Sequence, residues 1–146
     1  MIRVRDALES DLHFLSETEA SVFSDAWSES AVLSHLSSEW SVSIVAEKGD
    51  EPLGYLLGSV LAPESELFRI AVLPSARRLG VGRRLIDAFF ERVRARGGET
   101  VYLEVRESNL PARTLYGSVG FETVGIRRNY YHRPDENAVI LVKGSL

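Results

Sequence analysis

Arginine and glycine are concentrated between residues 74 and 86, where the chain reads PSARRLGVGRRLI. Gly80 and Gly82 lie among four arginines, and the sequence then becomes apolar. A helix N-terminus gathers unpaired backbone amides and about half a positive charge, which favour bound phosphate. Glycines leave such amides open, and arginines add bidentate contacts to phosphate oxygens. A solvated basic turn is the alternative, but arginines oppose the helix dipole, so the pattern favours a bound pyrophosphate.

Neither common nucleotide-binding motif fits this stretch. A P-loop ends in Gly-Lys-Ser/Thr, whereas Gly82 is followed by two arginines. A dinucleotide-binding turn needs a third glycine, and Leu85 occupies that position. The pyrophosphate would therefore belong to another kind of cofactor.

Two further residues could act as base and acid. In the segment TVYLEV (residues 100–105), Glu104 lies on the face opposite the apolar residues. A carboxylate within an apolar strand must be solvated, paired with a neighbour such as Arg106, or used in chemistry. Partial burial would raise its pKa and suit it to deprotonate an ammonium group. Tyr116, beside the apolar face of a predicted helix, is either a packing residue or a proton donor to a leaving group.

Apolar periodicity predicts the elements that must position these groups. The predicted strands are residues 2–7, 41–47, 53–62, 65–74, 100–105, 121–128 and 138–144, with a polar loop at 129–137. The predicted helices are one capped by Ser10, one capped by Ser28, one over residues 85–93 that ends at Gly97-Gly98, and one capped by Asn109. Together they predict an α+β or α/β domain with one mixed sheet flanked by helices.

Composition limits the class of protein. A chain of 146 residues is enough for a single domain, taken as 1–146, with a layered core. The net charge of −4 argues against a general nucleic-acid-binding protein. The lack of cysteine excludes disulfides, thiolate metal sites and a cysteine nucleophile, and the three histidines lack metal-ligand spacing. No segment has the pattern of a signal peptide or a membrane span, so we expect a cytoplasmic protein without a bound metal.

The glycine-rich turn, RRLGVG at residues 77–82, resembles the acetyl-coenzyme A (acetyl-CoA) turn of the GNAT family of N-acetyltransferases. It follows a strand that ends in IAVLP and precedes an amphipathic helix, which strengthens the resemblance. The segments LEVRESNLPARTLYGSVGF and IRRNYY extend it, in order, across most of residues 40–142. Within the family, the three segments together are most similar to bacterial acetyltransferases of ribosomal-protein N-termini.

The resemblance implies a fold, a reaction and a site. The fold would be α+β, with a mostly antiparallel central sheet of about six or seven strands and about four helices. Glu104 would be the proton acceptor and Tyr116 the proton donor in direct transfer of acetyl to an amine. The groups implied to bind acetyl-CoA are Ile70, Ala71, Val72, Arg77, Arg78, Leu79, Gly80, Val81, Gly82, Arg83 and Asn109. Trp27, Tyr130 and Tyr131 would bind the acceptor, the N-terminus of a protein such as a small-subunit ribosomal protein beginning with alanine; neither nucleic acid nor a membrane would be a partner.

Two positions near the implied acceptor groove depart from the family pattern. Ala26 stands where the family commonly has proline before tryptophan, and Arg69 replaces a small polar residue. These departures leave the chemistry intact and leave other acceptors open, including a polyamine or an amino sugar. A non-catalytic acyl-CoA-binding module and a plain interaction domain are further alternatives. The presence of both Glu104 and Tyr116 argues against the non-catalytic module.

Overall fold

The computed structural model describes residues 1–146, which form one seven-stranded sheet and four α-helices. The strands are β1 (Ile2–Asp6), β2 (Ser41–Lys48), β3 (Glu51–Leu61), β4 (Glu64–Val72), β5 (Thr100–Arg106), β6 (Glu122–Tyr131) and β7 (Glu136–Lys143). The helices are α1 (Leu12–Val22), α2 (Glu29–Ser37), α3 (Val81–Ala95) and α4 (Leu110–Ser118). None of these helices combines the length and apolar character that a membrane crossing requires.

The sheet is antiparallel except at one junction. Its strand order is β1-β2-β3-β4-β5-β7-β6, and only β4 and β5 pair in parallel. The strand count, the helix count and the mostly antiparallel pairing confirm the predicted α+β fold.

Helices cover both faces of the sheet, and β2 shows why. Ile44 and Ala46 belong to the core beneath α3, whereas Val45 belongs to a second core with α1 and α2. The apolar stripe of α3 is fully or nearly fully buried in the first core and consists of Leu85, Ile86, Phe89, Phe90 and Val93. Because successive strand residues point to opposite faces, the continuous apolar run of β2 fits a sheet covered on both sides.

Local boundaries differ from the prediction at two places. Ser10 does not cap α1: a short 3₁₀ turn precedes the helix, and Asp11 is its N-cap residue without a side-chain cap bond. The predicted loop at 129–137 is largely strand, because β6 and β7 extend to a pair formed by Tyr131 and Glu136. The caps at Ser28 and Asn109 are confirmed, since each side chain accepts a hydrogen bond from a first-turn amide.

The two central strands separate soon after they meet. β4 and β5 pair only over residues 64–66 and 100–102. Beyond that point β4 has a bulge at Phe68, which lies between the pairs Leu57–Arg69 and Gly58–Leu67. A Cβ on Gly58 would lie only 2.5 Å from the Phe89 ring. Glycine there lets Phe89 pack closely against the bulged part of the sheet. The edge of β4 that faces β5 is therefore free of a partner strand along residues 67–72.

Candidate active site

The glycine-rich turn leads directly into α3. Gly80 is the N-cap residue, and no side chain caps the helix. The amides of residues 78–83 donate no hydrogen bond within the chain. Arg78 and Gly80 have left-handed backbones, with φ of 67° and 77°. A Cβ on Gly80 would meet nothing within 4 Å, so backbone conformation rather than crowding favours glycine there.

Side chains around the turn divide between packing and solvent. Gly82 allows α3 to approach α4, because a Cβ there would lie 3.1 Å from the Leu115 side chain. Val81 is buried, whereas Leu79 and the arginines of the turn are exposed. Arg83 forms a surface ion pair with Asp87 at 3.3 Å. The turn thus presents free amides and exposed guanidinium groups at one end of the separated strands.

A narrow cavity of about 120 Å³ lies where β4 and β5 separate, and we call it the fork cleft. Three residues from β4, three from β5 and three from the start and first turns of α4 contribute most of its lining. Its lining residues are Phe23, Asp25, Phe68, Arg69, Ile70, Glu104, Val105, Arg106, Asn109, Ala112, Tyr116 and Tyr131. Ala71 and Val72 continue the same free edge of β4 toward the glycine-rich turn.

A wider cavity of about 760 Å³ adjoins the fork cleft, and we call it the outer cavity. The predicted acceptor residues Trp27, Tyr130 and Tyr131 all line it. Five residues line both cavities and form the passage between them: Asp25, Phe68, Arg69, Glu104 and Tyr131. The structure therefore places Glu104 at the junction of the two cavities, with Tyr116 on the fork-cleft side only.

Glu104 has one carboxylate oxygen near a cation and one without a partner. Its Oε1 atom lies 3.6 Å from the Arg127 Nε, and its Oε2 atom is buried and accepts no hydrogen bond. The pairing with Arg106 that the sequence left open does not occur. Arg106 instead donates to the backbone carbonyls of His132 and Pro134, at 2.9 and 3.0 Å. An oxygen of Glu104 is thus available to a further donor.

Tyr116 packs in the core, as the packing interpretation predicts, and it also lines the fork cleft. Its side chain is 5% exposed and meets the Phe121 ring edge-on at a centroid distance of 5.6 Å. Burial, and then the nearby Tyr131, raise the pKa of the Tyr116 phenol well above its ordinary value. The phenol consequently stays protonated at neutral pH and can act only as a proton donor there.

Two of the aromatic residues predicted to bind the acceptor, Trp27 and Tyr131, pack against neighbouring side chains. The Trp27 ring packs against Phe68 at 5.8 Å, and its backbone N–H donates to the Glu19 carboxylate at 2.9 Å. The Arg106 guanidinium lies 4.6 Å from the Tyr131 ring centre. Burial, followed by the charge of Glu104, raises the pKa of Tyr131 to about 12. The contacts of Arg106 with Tyr131 and with the backbone carbonyls of the same hairpin hold the β6–β7 hairpin next to the passage.

The sequence did not point to three charged residues of the site. Asp25 and Glu66 line the outer cavity, and Arg127 lies beside Glu104. Glu66 lines the outer cavity, where desolvation and then the charge of Glu104 raise its pKa. In the sequence, Glu66 alternates with the buried Ser65 and Leu67, which marks only an outward-facing strand position. The segment after α1 and the hairpin between β6 and β7 also line this cavity, and their approach to Glu66 is a tertiary feature that no local pattern contains.

Another hollow on the surface, larger than the outer cavity, carries no comparable arrangement. It measures about 960 Å³ and is bordered by β1 and the outer face of α3. Its charged residues alternate in sign, as in the Arg92–Asp6 pair nearby at 2.7 Å. No group of three or more His, Cys, Asp or Glu side chains in the chain could hold a metal ion.

Comparison with known proteins agrees with this geometry. Residues 10–121 match the model of the acetyltransferase (GNAT) family. The chain is 34% identical over 141 residues to the ribosomal protein bS18-alanine N-acetyltransferase of Haemophilus ducreyi, covering 94% of this chain and 97% of that protein. It is 37% identical over 142 residues to the N-alpha-acetyltransferase RimI of Mycobacterium tuberculosis, covering 93% and 88%. The crystal structure of the ribosomal-protein-alanine N-acetyltransferase from Escherichia coli matches with a TM-score of 0.91 and 31% identity, over 99% of this chain and 94% of that one.

Proposed function

The chain belongs to the GNAT family of acetyltransferases, and from that premise we propose that it acetylates the N-terminal α-amino group of a protein. Acetyl-CoA is the donor. The proposed acceptor is a ribosomal protein that begins with alanine, as the names of its relatives indicate for those proteins. The observation that carries the proposal is the meeting of the fork cleft and the outer cavity at Glu104. A ribosomal acceptor would place the reaction in the cytoplasm.

The donor would be held by the backbone on one side of the passage. Free amides of residues 78–83 and the exposed Arg77 and Arg78 would bind the pyrophosphate. The unpaired edge of Ile70, Ala71 and Val72 would pair with the pantetheine amides like an added strand. Asn109 uses its side-chain oxygen to cap α4 at 3.2 Å, so its amide NH₂ group remains available as a donor.

The acceptor would approach through the outer cavity. At about 760 Å³ this cavity holds a chain end with its following residues, whereas the fork cleft of about 120 Å³ does not. Trp27, Tyr130 and Tyr131 would flank the terminal residues. An α-amino group has a pKa of about 7.7–8.0, against about 10.4 for lysine, so a terminal amine needs less help to lose its proton at neutral pH.

The chemistry requires a base for the amine and an acid for the departing sulfur. Glu104, with its unpartnered oxygen, would take a proton from the acceptor ammonium and leave a neutral amine. The amine nitrogen would bond to the acetyl carbonyl carbon, and the carbon–sulfur bond would break. An amide of β4 would donate to the carbonyl oxygen as negative charge develops. Tyr116 would donate its phenolic proton to the departing sulfur, and the second proton of the amine nitrogen would then return through water to the Tyr116 phenolate.

Mass spectrometry can test the proposed acceptor directly. A peptide that begins with alanine and contains one internal lysine would be incubated with acetyl-CoA and fragmented to locate the acetyl group. We expect acetylation of the α-amino group. The same peptide with a blocked N-terminus should not be acetylated. Acetylation at lysine only, or of a polyamine in place of both peptides, would contradict the proposal.

Variants link this activity to the site. Glu104→Gln should lower kcat/KM by roughly a hundredfold near neutral pH, with acetyl-CoA binding retained. The loss should shrink above the pKa of the amine, because a neutral amine needs no base. Glu122→Gln, on the exposed face of β6, is the matched control and should be unaffected.

A further inference from the structure

Arg69 occupies the passage that every acceptor amine must enter. It lines both the fork cleft and the outer cavity, next to Phe68 and across from Tyr131. An amine that meets the donor thioester beside Glu104 has its first side chain within this same passage. The size and mobility of the Arg69 side chain therefore bear directly on which first residues fit.

The Arg69 side chain is held on several sides by the chain itself. Its Nε lies 3.3 Å from an oxygen of the completely buried Glu19, an ion pair without a hydrogen bond, and its Nη2 donates to the backbone carbonyl of Asp25. The Asp25 carboxylate lies 3.5 Å from the same Nη2. The guanidinium carbon also sits 4.3 Å above the centre of the Phe23 ring. Only 11% of this side chain is exposed.

Glu19 explains why this arrangement resists displacement. Its carboxylate also accepts hydrogen bonds from the Tyr55 hydroxyl at 2.8 Å and the Trp27 amide at 2.9 Å. If Arg69 moved away, a fully buried carboxylate would lose its only ion-pair partner. Displacing the Arg69 side chain therefore costs free energy, whereas an arginine on the open surface can move without such a cost.

We propose that Arg69 is a specificity-determining residue that restricts the first acceptor residue to small side chains. The inference rests on the proposed function, because it concerns the acceptor of that reaction. A large first side chain would have to share the passage with Phe68, Tyr131 and Arg69. Displacing the arginine would leave the Glu19 carboxylate without its ion-pair partner. Selection of an acidic first residue is not expected, since Glu19 and Asp25 already neutralise the guanidinium.

The test compares peptides that differ only in the first residue, alanine against leucine. For Arg69→Ser, we expect the alanine-to-leucine ratio of kcat/KM to fall at least tenfold, with the KM for acetyl-CoA unchanged. Arg69→Lys, which keeps a long cationic side chain, should retain most of the wild-type ratio. Arg133→Ser is the control, because Arg133 lines the outer cavity but not the passage.

The outcomes separate this inference from the proposed function. An unchanged ratio in a folded Arg69→Ser protein that still acetylates the alanine peptide would overturn the role of Arg69 alone. If wild-type protein acetylated no peptide α-amine, the proposed function would fail and the inference with it. Should Arg69→Ser unfold, Arg69→Gln replaces it, with an expected fall of at least threefold; no fall would again overturn the inference.

Discussion

At the scale of single residues, the surroundings of Glu104 and Tyr116 suit these two side chains to opposite proposed roles, as base and acid. Glu104 keeps one oxygen near Arg127 and one without a donor at the junction of the cavities. Tyr116 is almost fully buried, and that burial raises its pKa, so it remains a phenol. The proposed base is thus open to both cavities and the proposed acid is confined to the fork cleft, an arrangement that would suit acyl transfer to an amine.

Tyr116→Phe isolates the proposed acid. Removing the hydroxyl should lower kcat by roughly a hundredfold, because the sulfur would leave without a proton donor. The KM for acetyl-CoA should stay near the wild-type value, and the free energy of unfolding should change by less than about 1 kcal/mol. Steady-state kinetics and thermal unfolding measure both. Tyr102→Phe, on β5 but outside both cavities, is the control; full activity of Tyr116→Phe would assign Tyr116 to packing alone.

Glu66 makes stability depend on pH in a defined direction. Partial desolvation at the outer cavity, and then the charge of Glu104, raise its pKa in the folded chain, so its protonated form favours folding. That contribution is present below the unfolded pKa of about 4.3 and is lost as pH rises through the folded value. Glu66→Gln should therefore raise the Tm slightly at pH 7, by on the order of 1–2 °C, and not at pH 4.

Thermal unfolding at the two pH values measures this difference. Glu64→Gln is the control, since Glu64 is on the same strand as Glu66 but does not line the cavity. An equal change in Tm at both pH values would show that charge at Glu66 does not oppose folding.

At the scale of elements, the site depends on the point where β4 and β5 part and on the turn that follows β4. The sequence predicted both strands and the turn, because alternation and glycine–arginine spacing are local signals. It did not predict the separation, which requires the bulge at Phe68 and the close approach of Phe89 to Gly58. Those contacts join residues far apart in the chain, so no local pattern contains them.

The glycine-rich turn can be tested against a turn with similar backbone strain. Gly80 and Gly49 have φ of 77° and 62°, and a Cβ at either would meet nothing within 4 Å. Valine at either position adds comparable backbone strain, but only Gly80 belongs to the proposed pyrophosphate site. Gly80→Val should weaken acetyl-CoA binding at least tenfold in calorimetry, while Gly49→Val should not. Equal affinity in the two variants would remove the turn from the binding site.

At the scale of the whole molecule, the sheet brings distant segments to one passage. Local motifs pointed to Glu104, Tyr116 and the glycine-rich turn, which are the parts proposed to carry the reaction. The contacts of Arg69 with Glu19 and Asp25 could not be predicted, because they join β4 to α1 and the segment after it across the sheet. The candidate catalytic residues could thus be predicted from the sequence more fully than the residues proposed to select the acceptor, because the latter depend on tertiary packing.

The central claim is that the free amides before α3 bind the pyrophosphate and so place the thioester between Glu104 and Tyr116. A crystal structure with acetyl-CoA tests it most directly. We expect phosphate oxygens about 2.7–3.2 Å from amides of residues 78–83, pantetheine along residues 70–72, and the sulfur in the fork cleft beside Tyr116. A pyrophosphate bound elsewhere, or a sulfur remote from both side chains, would contradict the account.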